Sequence, residues 1–189
     1  MKRLALFASG SGTNVENIVQ YFRHHDQISV ELILCNNPQA GVIARAERLG
    51  IPLKLFNREQ FRSGEVLDWL QQAQIDWIIL AGFLWLVPHS LVAAYPNRIL
   101  NIHPALLPKY GGKGMYGLRV HEAVVKAGER ESGITIHLVN EHYDEGNIIF
   151  QDAFTVEPTD TPEQVAHKCH QLEYQHFPGV IEKAVLEQA

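Results

Sequence analysis

Apolar residues along this 189-residue chain fall into two alternating patterns. Residues 4–8, Leu-Ala-Leu-Phe-Ala, form a short uninterrupted apolar run closed by a glycine-rich turn, which suits a strand buried on both faces. Directly after the turn, Val15, Ile18, Val19 and Phe22 recur at i, i+3, i+4 and i+7, the stripe of an amphipathic helix. The rhythm repeats. Residues 30–35 read as a strand, Val42, Ile43, Ala46 and Leu49 as a helix ended by Gly50, and residues 53–56 as a strand. A third helix carries Val66, Leu67 and Leu70, and residues 75–80 return as a strand. Strands alternating with helices imply right-handed crossovers and a parallel sheet covered on both faces.

Beyond Ile99 the pattern changes. Residues 98–102 read as a strand, followed by a Pro- and Gly-rich loop over 104–117 and a short helix over 120–127. Residues 134–139 and 148–156 flank the polar segment 140–147 and form an antiparallel hairpin in the simplest reading. A last helix starts near Thr161, where Thr-Pro-Glu-Gln supplies a cap and a first-position proline. With no repeat, linker or low-complexity tract, residues 1–189 read as one α/β domain, a parallel N-terminal sheet extended by an antiparallel C-terminal hairpin.

Composition narrows the function. A chain that is 46% hydrophobic and 20% charged is neither disordered nor low-complexity, and its length buries roughly 70% of the unfolded surface without staples. Sixteen basic against 21 acidic residues, a net charge of −5, leave no general basic field for nucleic acid or an acidic membrane surface. Cys35 and Cys169 fit no zinc or Cys-x-x-Cys spacing and read as reduced thiols of a cytoplasmic protein. The basic, apolar start MKRLALFA is too short for a secretory signal, and no apolar run reaches the length of roughly 18 residues that a membrane span needs. The histidines show no metal-ligand spacing, so no metal is expected.

Two segments carry candidate chemistry. Ser9-Gly10-Ser11-Gly12-Thr13-Asn14 lies between the first strand and first helix, where open α/β sheets bind ligands and a helix N-terminus attracts anions. It reads as a phosphate cradle, and equally as a tight turn with Thr13 or Asn14 as the N-cap, two readings that are compatible. The third glycine of a dinucleotide fingerprint is missing, the second strand ends in Cys35-Asn36-Asn37 without an acidic ribose ligand, and no Gly-Lys-Ser/Thr follows. A single phosphate ester remains. In Asn101-Ile102-His103-Pro104, the proline favours extended backbone before it, so Asn101 and His103 face one side and Ile102 the other. Asp144, in the hairpin turn, is an acidic residue that the fold could bring near His103, although an aspartate there is also an ordinary turn residue.

Gly-Ser-Gly-Thr-Asn, Asn101-Ile-His-Pro-Ala-Leu-Leu-Pro-Lys-Tyr and Asp144-Glu-Gly-Asn-Ile-Ile-Phe-Gln151 together resemble the folate-dependent formyltransferases, in the branch that acts on glycinamide ribonucleotide in purine biosynthesis. The similarity runs in the same order along essentially the whole chain. It implies a Rossmann-like formyltransferase fold and a catalytic trio of Asn101, His103 and Asp144. It further implies that Gly12, Thr13 and Asn14 hold the substrate phosphate and that Glu173 binds the ribose hydroxyls. Leu84, Trp85, Leu86, Val87 and Val139, with Asn101 and Asp144, would line the folate pocket, where plain core packing is an equal reading of the individual apolar side chains.

The implied substrates are small molecules, glycinamide ribonucleotide and 10-formyltetrahydrofolate, with no nucleic acid or membrane partner and a monomer or weak homodimer as the assembly. In the chemistry so implied, protonated His103 and Asn101 donate to the tetrahedral oxyanion, while Asp144 keeps the imidazole charged and takes the amine's proton. Rival readings are a formyltetrahydrofolate hydrolase, a formyltransferase for another amine, and a non-catalytic phosphate-binding module. The length leaves no room for a regulatory or acceptor-recognition domain, which weighs against the first two.

Two positions depart from the resemblance. Asn147 stands where a proline is common, and the loop after Tyr110 reads Gly-Gly-Lys-Gly-Met-Tyr-Gly, whose four glycines predict a mobile lid. Lys113 reads as a solvated loop lysine, with phosphate contact as the alternative. His121 and His137 are candidates for lining the site, and His170 for facing solvent or supporting Glu173.

Overall fold

The computed structural model describes residues 1–187. Seven strands form one sheet: β1 (Lys2–Ala8), β2 (Ile28–Cys35), β3 (Leu53–Leu55), β4 (Trp77–Leu80), β5 (Ile99–His103), β6 (Glu131–Leu138) and β7 (Ile148–Thr155). Their order across the sheet is β3-β2-β1-β4-β5-β6-β7. The first five pair in parallel, and β6 and β7 join antiparallel. The expected doubly wound sheet with an antiparallel extension is therefore what the chain forms.

Burial alternates residue by residue. Leu4, Leu6 and Ala8 of β1 join a core with Trp77, Ile79 and Leu100, beneath α1 (Thr13–Phe22), α2 (Val42–Leu49) and α7 (Pro162–Glu187). Ala5, Phe7, Ile78 and Leu80 face the other way onto α3 (Arg58–Ser63), α4 (Glu65–Gln72) and α5 (His89–Ala94). The remaining helix, α6 (Leu118–Lys126), follows the glycine-rich loop, packs against α7 and leads into β6.

Several boundaries differ from the sequence reading. The helix expected around Val66 is two, α3 and α4, broken at Gly64, whose φ of 96° no ordinary helix residue adopts. A capping box at Asn57 and Gln60 starts α3. Neither Thr13 nor Asn14 caps α1: Gly12 takes that position in left-handed backbone with no side-chain cap. The Thr161–Gln164 box at α7 forms as read, each side chain bonding the other's backbone N–H. Within α7, Pro178 removes the N–H that would bond the Tyr174 carbonyl, and Asn17 Nδ2 of α1 donates to that oxygen instead at 3.0 Å.

The chain leaves β1 toward β2 and later crosses to β4 on the opposite side of β1, so the sheet reverses direction between β1 and β4. Ser9 spans this point: its N–H donates to Gly82 O at 3.0 Å, and its Oγ accepts from Leu84 N at 3.1 Å. The loops after β1 and β4 thus open one crevice at the strand C-termini, where ligands of such sheets bind.

Candidate active site

A cleft of about 820 Å³ occupies that crevice. One wall is the glycine turn. Gly12 has φ 77°, and a Cβ there would stand 2.5 Å from Val42 Cγ2, so glycine is required both for conformation and for the approach of α2. Arg45 holds the turn from behind, with Nε donating to Ser11 O at 2.7 Å while its guanidinium pairs with Glu16. Since no side chain caps α1, its first-turn N–H groups are left to the cleft.

The opposite end is built from β5 and β6. Ile99, Asn101 and His103 alternate onto one face; Ile99 is core, and farther along the strand the same face turns polar. Antiparallel register sets Asn101 opposite His137 and His103 opposite Thr135. Asn101 Nδ2 lies 3.0 Å from His137 Nε2 and 3.4 Å from Asp144 Oδ1. His137 Nδ1 lies 3.0 Å from Leu138 O, and its Nε2 sits between the Asn101 amide and, at 3.6 Å, Asp144 Oδ1. His103 Nε2 donates to Tyr110 O at 2.7 Å, so the neutral ring presents a bare Nδ1, 3.5 Å from Asp144 Oδ2. The expected trio is brought together, and His137 joins it.

Asp144 lies on the turn between β6 and β7 with φ 55°. Gly146 makes the turn's approach possible, for a Cβ there would fall 1.5 Å from Leu138 O. Asn147, the departure from the resemblance, accepts from Leu138 N at 2.9 Å through its carbonyl. The Gly112 N–H donates to Asp144 Oδ2 at 3.0 Å, tying the glycine-rich loop to the carboxylate. Burial would raise the Asp144 carboxyl, but His137, His103 and Gly112 outweigh it and hold the group below its ordinary value.

For His103 the balance runs the other way. Burial pulls its pKa below the ordinary imidazole value despite Asp144 and the Tyr110 carbonyl, both of which raise it. The enclosure of the ring therefore opposes the charge that Asp144 was expected to maintain on it. Asn101 is likewise not a free donor, because both its N–H groups face protein acceptors.

Glu173 is 5% exposed, accepts from Asn14 Nδ2 at 2.8 Å, and burial pushes its carboxyl up to about 7. It lines the cleft with Gly12, Thr13 and Asn14. Trp85, Leu86, Val87 and Val139 line a smaller recess beside Asn101 and Asp144, whereas Leu84 turns toward the larger cleft. Lys113 lines the cleft, as do His121 and the exposed His170.

Sequence reasoning missed three supports. The Tyr110 carbonyl fixes the His103 tautomer from left-handed backbone (φ 57°), a conformation anchored by the Tyr110 hydroxyl on Glu129 at 2.9 Å. Thr135 Oγ1 donates to Ala105 O and accepts from Leu107 N and Gln151 Nε2, clamping the chain after β5. Thr135 and His137, polar at i and i+2 between Ile134 and Ile136, were the readable signal. Arg58, stacked on Trp85 at 4.4 Å from its ring centroid, had none. Among the described residues, no group of three or more His, Cys, Asp or Glu could hold a metal ion, and no helix is long and apolar enough to cross a membrane.

A glycine turn on a helix start faces an Asn–His–Asp cluster across one cleft of an α/β fold. The formyl transferase family matches residues 2–181, and the chain belongs to that family. A phosphoribosylglycinamide formyltransferase of Bacillus subtilis is 36% identical over 189 residues, covering 97% of this chain and 94% of that protein. The chloroplastic enzyme of the same name from Arabidopsis thaliana is 41% identical over 95% of this chain, and the one from Vigna unguiculata is 38% identical over 96%. The chain spans 64% and 60% of those two plant relatives. Among solved structures, the phosphoribosylglycinamide formyltransferase of Bacillus halodurans superposes with a TM-score of 0.89 at 36% identity, covering all of this chain and 97% of that one. Glycinamide ribonucleotide transformylase 1 of Geobacillus kaustophilus gives 0.89 at 38% identity, covering 98% and 99% of the two chains.

Proposed function

We propose that this chain transfers the formyl group of 10-formyltetrahydrofolate to the amine of glycinamide ribonucleotide, releasing tetrahydrofolate. The observation that carries the reading is the 3.5 Å approach of His103 Nδ1 to Asp144 Oδ2, with the Asn101 amide on the same carboxylate, in a cleft whose far wall is the glycine turn at the start of α1. The names of the relatives support phosphoribosylglycinamide as the acceptor and formyl as the group transferred.

The amine attacks the formyl carbon and the carbonyl pair moves to oxygen. The amine nitrogen sheds a proton to His103 Nδ1, where Asp144 stabilises the imidazolium; the ring then returns that proton to the departing folate N10. Asn101 turns its longer contact, the 3.4 Å one to Asp144, onto the oxyanion, a donor worth about 3 kcal/mol of barrier in comparable sites. Phosphate sits on Gly12, Thr13 and Asn14, the ribose hydroxyls bond Glu173, and the folate ring enters the recess of Leu86, Val87 and Val139. Both substrates are small molecules, handled in the cytoplasm.

The protein is mixed with 10-formyltetrahydrofolate, with and without glycinamide ribonucleotide, while tetrahydrofolate and formate are followed. Tetrahydrofolate formed only in the presence of the ribonucleotide is the expected result. Formate released without it would favour a hydrolase, and turnover in neither mixture would leave a binding module.

A further inference from the structure

His121 is the one buried imidazole of the cleft for which the mechanism above has no use. It lies on α6, is 3% exposed, and borders the cleft with His103, His170 and Glu173. Among the described residues its Nδ1 meets no hydrogen-bond partner. A desolvated ring nitrogen without a partner is a deficit that a ligand in the cleft removes. Burial, together with charge on His170 and His103, pulls its pKa down to about 4, so at neutral pH the ring is uncharged. It then offers one donor and one acceptor.

Its position selects what those atoms meet. His121 lines the same cleft as His103, at the reacting end, and His170, one helical turn before Glu173. Resting on the substrate proposed above, the amine lies at His103 and Asp144 and the ribose hydroxyls at Glu173. The unit between these two ends of glycinamide ribonucleotide is its amide, which presents a carbonyl acceptor and an N–H donor. A cation would gain little there, and an apolar side chain would leave the amide desolvated and unpaired.

We propose that His121 is the specificity-determining residue that hydrogen-bonds the amide linkage of the substrate, holding the glycyl arm so that its amine points at the formyl carbon.

The test compares wild type with His121→Phe and His121→Gln in steady-state turnover, with ribose 5-phosphate as a competitive probe that lacks the amide. His121→Phe is expected to raise KM for glycinamide ribonucleotide roughly 10- to 100-fold. KM for 10-formyltetrahydrofolate and inhibition by ribose 5-phosphate should both stay within about twofold. His121→Gln, which keeps a donor and an acceptor, should recover most of the loss. An unchanged KM for the ribonucleotide in an active His121→Phe enzyme would overturn this assignment alone. An equal loss toward ribose 5-phosphate, or a loss that Gln does not relieve, would also overturn it by showing a packing role. A wild type that turns over no glycinamide ribonucleotide would overturn the functional reading and this inference together.

Discussion

Asp144 occupies left-handed backbone that few L-residues tolerate, and asparagine is among those that do. Asp144→Asn therefore keeps the turn while removing the charge that faces His103. It is expected to melt within a few degrees of wild type and to lose between about 10²- and 10⁴-fold in turnover, the usual worth of a positioned proton-handling group. Turnover within a few-fold of wild type would remove the carboxylate from the mechanism. The identity of Asn101, His103 and Asp144 as neighbours was legible, because strand periodicity and a hairpin turn suffice to bring them together. The charge of His103 was not, because it depends on how completely β6 and the loop at Tyr110 enclose the ring. His121 reads in sequence as one more polar residue on a helix, and only its enclosure exposes the missing partner.

At the scale of elements, the β1–α1 junction depends on Gly12. Gly12→Ala would put a β-carbon into Val42 and force alanine into left-handed backbone. Strain and overpacking together are expected to destabilise by about 3 kcal/mol, lowering the melting temperature by roughly 6–12 °C for a domain of this size. A melt unchanged within 2–3 °C, followed by circular dichroism, would show that the turn yields. The sheet and its crossovers were legible because strands buried on both faces leave continuous apolar runs. The α3–α4 break was not, since Gly64 interrupts a polar stretch rather than an apolar stripe, and α5 is a six-residue helix too short to show a period. Glycine's capture of the α1 cap from Thr13 and Asn14 was also hidden: Asn14 turns away to Glu173, a partner 159 residues distant.

For the molecule as a whole, Glu173 and His121 tilt stability in opposite directions. The Glu173 carboxyl titrates near 7 in the fold against 4.5 for the free group. Its proton therefore favours the fold fully below pH 4.5, and that contribution is lost as pH rises through 7. His121, lowered from 6.5 to about 4, contributes above 6.5 and loses its contribution as pH falls toward 4. Between pH 4.5 and 6.5 the two slopes offset. Glu173→Gln removes one of them, so its stability relative to wild type should rise by about 3 kcal/mol between pH 4.5 and pH 7. Urea unfolding at pH 4.5, 6 and 8 measures this, and a difference independent of pH would show that the buried carboxyl is ionised throughout.

The Asn14–Glu173 bond has a consequence for how the molecule is made. Asn14 of the glycine turn and Glu173 of α7 stand 159 residues apart, so the one is synthesised well before the other. Until α7 docks against α1, the cleft lacks the side that Ala166, His170 and Glu173 supply. That side of the cleft is therefore completed only after α7 has been made and packs against the earlier elements. A ligand spanning the glycine turn and α7 acts afterwards as a clasp across that closure.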